Sequence, residues 1–134
     1  MTPSKLISIA MAQPAISTIR QILNQMTTSN PDVIGCALVS EDGLPIHSVI
    51  PESIEEDSMS AMSATLYALG ERVISDLTSG TIEQVYIKGD QGYVIISLVE
   101  KVGTLAVIAK PSAKLGYVLM VLRQVISDLA TSAR

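Results

Sequence analysis

The chain has 134 residues, a formal net charge of −4, nine Lys and Arg, one Cys and one His, and neither Phe nor Trp. Scattered basic residues on an acidic chain argue against a nucleic-acid face, which needs concentrated positive charge. A single cysteine excludes an internal disulfide, and one His with one Cys excludes a Cys/His zinc site within one chain. The length suits one domain with one core. That core must come from Ile, Leu, Val, Ala and Met. Hydrophobic residues make up 48% of the chain, yet the longest apolar run is "YVLMVL", Tyr117–Leu122. A spanning helix needs roughly 20 apolar residues. The surplus therefore belongs in a core or a subunit interface, and direct membrane insertion is not expected. The first residues, "MTPSKLISIAMAQ", lack a convincing charged leader, so the reading is cytoplasmic.

In chain order, Leu6, Ile7, Ile9 and Met11 form a small apolar piece. A helix is expected over Ala15–Thr28, with Ile16, Ile19, Leu23 and Met26 at helical spacing. Pro14 suits its first turn, and Asn30-Pro31 turns the chain. Val33–Ser40 reads as a strand buried on both faces. Asp42-Gly43 is a turn dipeptide. Leu44–Ile50 is the return strand. Pro45 has no N–H to give to a ladder, which places this strand at an edge.

The next helix opens with Glu55, Glu56 and Asp57, where the helix dipole favours negative charge. Met59, Met62, Leu66, Leu69, Val73 and Leu77 form an apolar stripe, expected to hold the helix on its own core. Gly80 is the expected stop. Beside that stripe runs a face of small residues, Ala61, Ala64 and Ala68, with Ser60, Ser63 and Tyr67 nearby. Three strands follow, Glu83–Lys88, Tyr93–Val99 and Thr104–Ala109, joined by "GDQG" and "EKVG" turns. The last is almost wholly apolar and should be central. A final helix is expected over Ala113–Ala130.

No chemistry stands out. Cys36 lies in the most apolar strand, where a small core residue is expected rather than a reactive thiol. His47 is expected on the same edge strand as Pro45. The acidic group Glu52, Glu55, Glu56 and Asp57 lacks calcium-loop spacing. No phosphate loop is present. No catalytic, cofactor or metal residues are assigned.

The stretches "VIGCALVSEDGLPIHS" (Val33–Ser48), "MSAMSATLYALGERV" (Met59–Val73), "VYIKGDQGYVIISLV" (Val85–Val99) and "LGYVLMVLRQVISDL" (Leu115–Leu129) together resemble the Roadblock family. That family includes dynein light chains of the roadblock type and prokaryotic regulators of Ras-like small GTPases. The resemblance implies an α/β domain of the α+β type over residues 15–134, with residues 1–14 as an extension. It implies a five-stranded antiparallel sheet between one middle helix, Ile54–Ser79, and two terminal helices. It also implies a homodimer or heterodimer joined edge to edge through the third strand, Glu83, Gln84, Val85, Tyr86, Ile87 and Lys88. A Ras-like small GTPase is then expected on the middle-helix face, centred on Ser60, Ala64, Tyr67, Ala68 and Glu71. The function implied is a non-enzymatic dimeric scaffold or regulator of such a GTPase. The alternative is a small-ligand sensor with a pocket between sheet and helix.

Overall fold

The computed structural model describes residues 15–132. The apolar piece Leu6–Met11 lies outside them. Apolar periodicity and turn chemistry place the elements where expected, to within two residues at most ends. They are α1 (Ile16–Ser29), β1 (Val33–Ser40), β2 (Pro45–Val49), α2 (Glu56–Thr78), β3 (Gln84–Gly89), β4 (Gly92–Val99), β5 (Gly103–Ala109) and α3 (Leu115–Ser132).

The strands form one antiparallel sheet in the order β2-β1-β5-β4-β3. The almost wholly apolar strand β5 is central, as expected. The strand bearing Pro45 is an edge, as its missing donor requires. The other edge is β3.

Each sheet face has its own core. On one face α1 and α3 pack Ile19, Leu23, Leu122 and Leu129 over Cys36, Leu38, Ile95 and Val107. The end of α1 is tied to the start of α3 by polar contacts. Asn30 Nδ2 donates to the Met26 carbonyl at 2.8 Å, and the Tyr117 hydroxyl donates to Asn30 Oδ1. On the other face α2 is the only helix among the described residues, setting Met59 and Tyr67 on Ala37, Val39, Ile96 and Ala106.

Here the structure corrects the sequence reading. Of the expected core stripe on α2, only Met59 is buried and Leu66 partly so. Met62, Leu69, Val73 and Leu77 are 57%, 56%, 45% and 79% exposed. The buried residues are Met59, Ser60, Ser63 and Tyr67. The reason is close approach: small side chains let the helix sink onto the sheet. Ser63 adds to this by returning its hydroxyl to the Met59 carbonyl at 2.8 Å, so its burial leaves no unpaired donor. At Gly70 an added Cβ would lie 2.8 Å from both Ile82 Cδ1 and Val85 Cγ2.

The helix stop also differs. Ser79, not Gly80, takes the left-handed cap with φ 60° and ψ 15°. A Cβ in that conformation costs about 1 kcal/mol, which glycine avoids. Ser79→Gly should therefore raise unfolding stability by about 0.5–1 kcal/mol in urea melts. Gly103→Ala should do the reverse. Its φ is 152°, and the new Cβ would lie 1.8 Å from the Val39 carbonyl oxygen. A loss of about 4 kcal/mol or more, or failure to fold, is expected.

Candidate interaction surface

The residues of α2 divide by helical geometry, at about 100° per residue. Ser60, Ser63 and Tyr67 face the sheet. Met62, Leu69 and Val73 lie on one flank, and Ala64, Ala68 and Glu71 lie on the opposite flank. Met62, Leu66, Leu69, Val73 and Leu77 recur at steps of four, three, four and four residues. That is the spacing of a helix-to-helix seam. Among the described residues most of the seam is exposed.

The five residues expected to receive a partner are thus split. Ser60 and Tyr67 are 0% and 5% exposed and belong to the α2 core. Their burial follows from the small-residue approach just described. Ala64 is half-buried, and Ala68 and Glu71 are exposed. Ala64, Tyr67, Ala68 and Glu71 nonetheless line one cavity of about 310 Å³. Its other walls are Ser40 and Glu41 at the end of β1, Leu98 on β4, and Gly103 and Thr104 at the start of β5. Sequence reasoning missed the sheet residues, because only the β1–β5–β4 register brings them together. Burial raises the Tyr67 phenol above its ordinary range, and the Glu71 carboxylate adds to the shift.

The strand expected to join two copies runs Gln84–Gly89, so Glu83 falls just outside it. It pairs with β4 from Gln84↔Ser97 to Gly89↔Gly92, and its other side has no strand neighbour among the described residues. Gln84 and Val85 are half-buried, while Tyr86, Ile87 and Lys88 are exposed. Tyr86 stacks edge-on against Tyr93, with ring centroids 5.5 Å apart. The edge carries apolar side chains and no proline, unlike β2, and such an edge is a template for pairing.

The two reactive side chains sit elsewhere. Cys36 is fully buried, and burial pushes its thiol up to about 12. A thiol so protonated is a packing residue. His47 lies half-buried on β2, with its Nε2 buried and unpartnered. Burial lowers its pKa, Arg20 lowers it further, and Glu56 opposes both. No group of three or more His, Cys, Asp or Glu is placed to hold a metal among the described residues. Among those residues no helix is long and apolar enough to cross a membrane.

One sheet with a lone helix on one face and two helices on the other, in this chain order, defines a Roadblock-type α/β domain. The Roadblock/LC7 domain family matches residues 19–109, and the chain belongs to it. A Methanocaldococcus jannaschii protein, MJ0310, is 28% identical over 90 residues, which cover 67% of this chain and 78% of that one. Among solved structures, Myxococcus xanthus MglB superposes with a TM-score of 0.79 at 17% identity, covering 87% of each chain. A second MglB structure, described in a tetrameric arrangement, has a TM-score of 0.75 at 13% identity, covering 87% of this chain and 88% of that one. At these identities the structural likeness is one of fold.

Two measurements check these placements. Tyr67→Ala should lower stability by about 3 kcal/mol, as truncation of a buried aromatic does. Leu69→Glu should leave the unfolding midpoint of the single chain within about 0.5 kcal/mol of the parent, as surface changes do. The opposite order in urea melts would place the core on the other stripe. The second measurement concerns His47. Its folded pKa lies below the unfolded value near 6.5, so the unfolded chain takes the proton first as pH falls. Its contribution to stability is present above about pH 6.5 and is lost as pH falls through the folded pKa. Tm should be lower at about pH 5 than at about pH 7.5, and His47→Gln should narrow that gap.

Proposed function

We propose that the protein is a non-enzymatic dimeric regulator or scaffold that binds a Ras-like small GTPase. The observation that carries this reading is the bare seam Met62, Leu69, Val73 and Leu77 on α2. It occurs in a domain of the Roadblock/LC7 family. A fully buried side chain of this kind is worth about 1.5–3 kcal/mol. A chain of this size gains by covering such a stripe. The unpaired β3 edge, with Tyr86 and Ile87 exposed, favours a second copy as the cover. The tetrameric arrangement described for one MglB supports self-association in a related fold. In this reading β3 edges join two sheets and α2 helices pack side by side. The partner face expected from the family resemblance is then the α2 side of the dimer, with Ala64, Ala68 and Glu71 reachable from outside. The GTPase role rests on the family.

A second reading, a small-ligand sensor, has one observation in its favour. The cavity between α2 and the sheet is the pocket such a sensor would use. A thermal-shift metabolite screen tests it.

Sedimentation velocity of the unmodified chain at micromolar concentration should show a dimer. Leu69→Glu should weaken that dimer by at least about tenfold, or 1.4 kcal/mol. A well-folded monomer in the unmodified chain would sink the dimer. Capture with GTPases from the same source, loaded with GDP or a GTP analogue, should then give a complex that titration calorimetry confirms. Failure of every loaded GTPase to bind an intact dimer would sink the regulatory role.

A further inference from the structure

The cavity beside α2 has a chemistry that the dimer does not use. Its walls carry two carboxylates, Glu41 and Glu71, and no lysine or arginine lines it. Within it lies Thr104, only 7% exposed, whose Oγ1 is buried and has no hydrogen-bond partner. Such a hydroxyl costs about 1–3 kcal/mol when left unpaired. Ser40 is already engaged, since its Oγ accepts the Leu44 N–H at 3.1 Å. The apolar lining is Ala64, Ala68 and Leu98, the last 43% exposed. Negative charge, an idle buried hydroxyl and an apolar wall together describe the counterpart of a long basic side chain.

We propose that this cavity receives an arginine side chain from the protein partner. The aliphatic stem lies along Leu98 and the two alanines, as such stems do on apolar surface. The guanidinium then meets Glu41 and Glu71 and donates one N–H to Thr104 Oγ1. Arginine suits the site better than lysine, because its planar fork serves several acceptors at once and is more weakly hydrated. Ala64 and Ala68 are small because the guest needs the room. The turn that carries Glu41 is held against the helix, where a Cβ on Gly43 would lie 3.5 Å from that of Ala64. The cavity is on the flank of α2 opposite the seam, so a dimer built on the seam leaves it open.

This inference deepens the reading of α2 as a partner-binding helix, and its test separates the two. The full chain, isotope-labelled, is titrated with N-acetyl-arginine methylamide and followed by NMR. The uncharged citrulline analogue serves as control. Saturable shifts at Ala68, Glu71, Leu98 and Thr104 are expected with arginine and not with citrulline. Glu71→Gln, an exposed change that leaves the fold intact, should weaken the arginine probe by about fivefold, the value of one partly exposed ion pair. Thr104→Val, which keeps the shape and removes the hydroxyl, should weaken it as well. Equal shifts with citrulline, or unchanged affinity in both variants, would overturn the proposal. If the probe fails while a GTPase still binds, only the arginine site falls. If the probe binds while no GTPase does, only the GTPase reading falls.

Discussion

The depth to which α2 sinks onto its sheet governs everything outside it. Ser60, Ser63 and Gly70 on the helix, and Ala37 and Ala106 beneath it, keep the separation short. With that face inward, the 100° step of the helix turns Met62, Leu69 and Val73 away from the sheet. They lie on the flank and remain exposed. The price is an unpartnered Ser60 hydroxyl in the interior, against the general rule that buried polar groups are paired. Tyr67 and Met59 are the large buried residues of α2's inner face. Tyr67 lines the cavity together with the end of β4 and the start of β5.

Most of the fold was legible because its signals are local. The doubly buried β1, the Asp42-Gly43 turn, the edge placement from Pro45 and the central position of β5 all follow from short-range pattern. The face of α2 was not legible for the same reason. Its large apolar stripe has stronger helical periodicity than its inner face, and periodicity marks what is apolar without saying what covers it. A reading that assigns the largest stripe to the chain's own core fails when a second surface competes for it. The available clue was the pairing of that stripe with a serine-rich one on a single helix. A lone sheet-packing helix has no use for two. Gly80 misled in a smaller way, since Ser79 takes the left-handed cap and the glycine follows it.

The candidate site was half legible. Ala64, Ala68 and Glu71 were singled out as one face, and they do share one cavity wall. Ser60 and Tyr67 were grouped with them because neighbours on a helical wheel differ by small angles. Burial separates residues that the wheel does not. Glu41 and Thr104 were out of reach, since they meet α2 only through long-range strand register. The acidic tip of the β1–β2 turn reads locally as turn chemistry, and so it is. The fold then sets that tip on the rim of a cavity whose opposite wall is a helix.

In the proposed dimer, self-association and partner binding fall on opposite flanks of one helix. The seam at Met62, Leu69 and Val73 and the wall at Ala64, Ala68 and Glu71 point to opposite sides, with the sheet-facing row between them. The seam is apolar and suits a constant partner, because burying aliphatic area is strong and undirected. The cavity is small, acidic and hydroxyl-bearing, which suits discrimination, because a buried polar group left unpaired penalises the wrong guest. A change in one surface need not alter the other, since the two share no side chain. Coupling between them would have to pass through the tilt of α2 on its sheet. Two places where α2 meets neighbouring segments are Gly70, where an added Cβ would lie 2.8 Å from Ile82 and Val85, and Ala64, which a Cβ on Gly43 would touch at 3.5 Å. Binding at either surface that shifts α2 by a few tenths of an ångström would be felt at both of these close contacts, because packed interiors do not deform freely. The same seating that turns the seam outward is therefore what makes α2 a stiff element shared by the two surfaces.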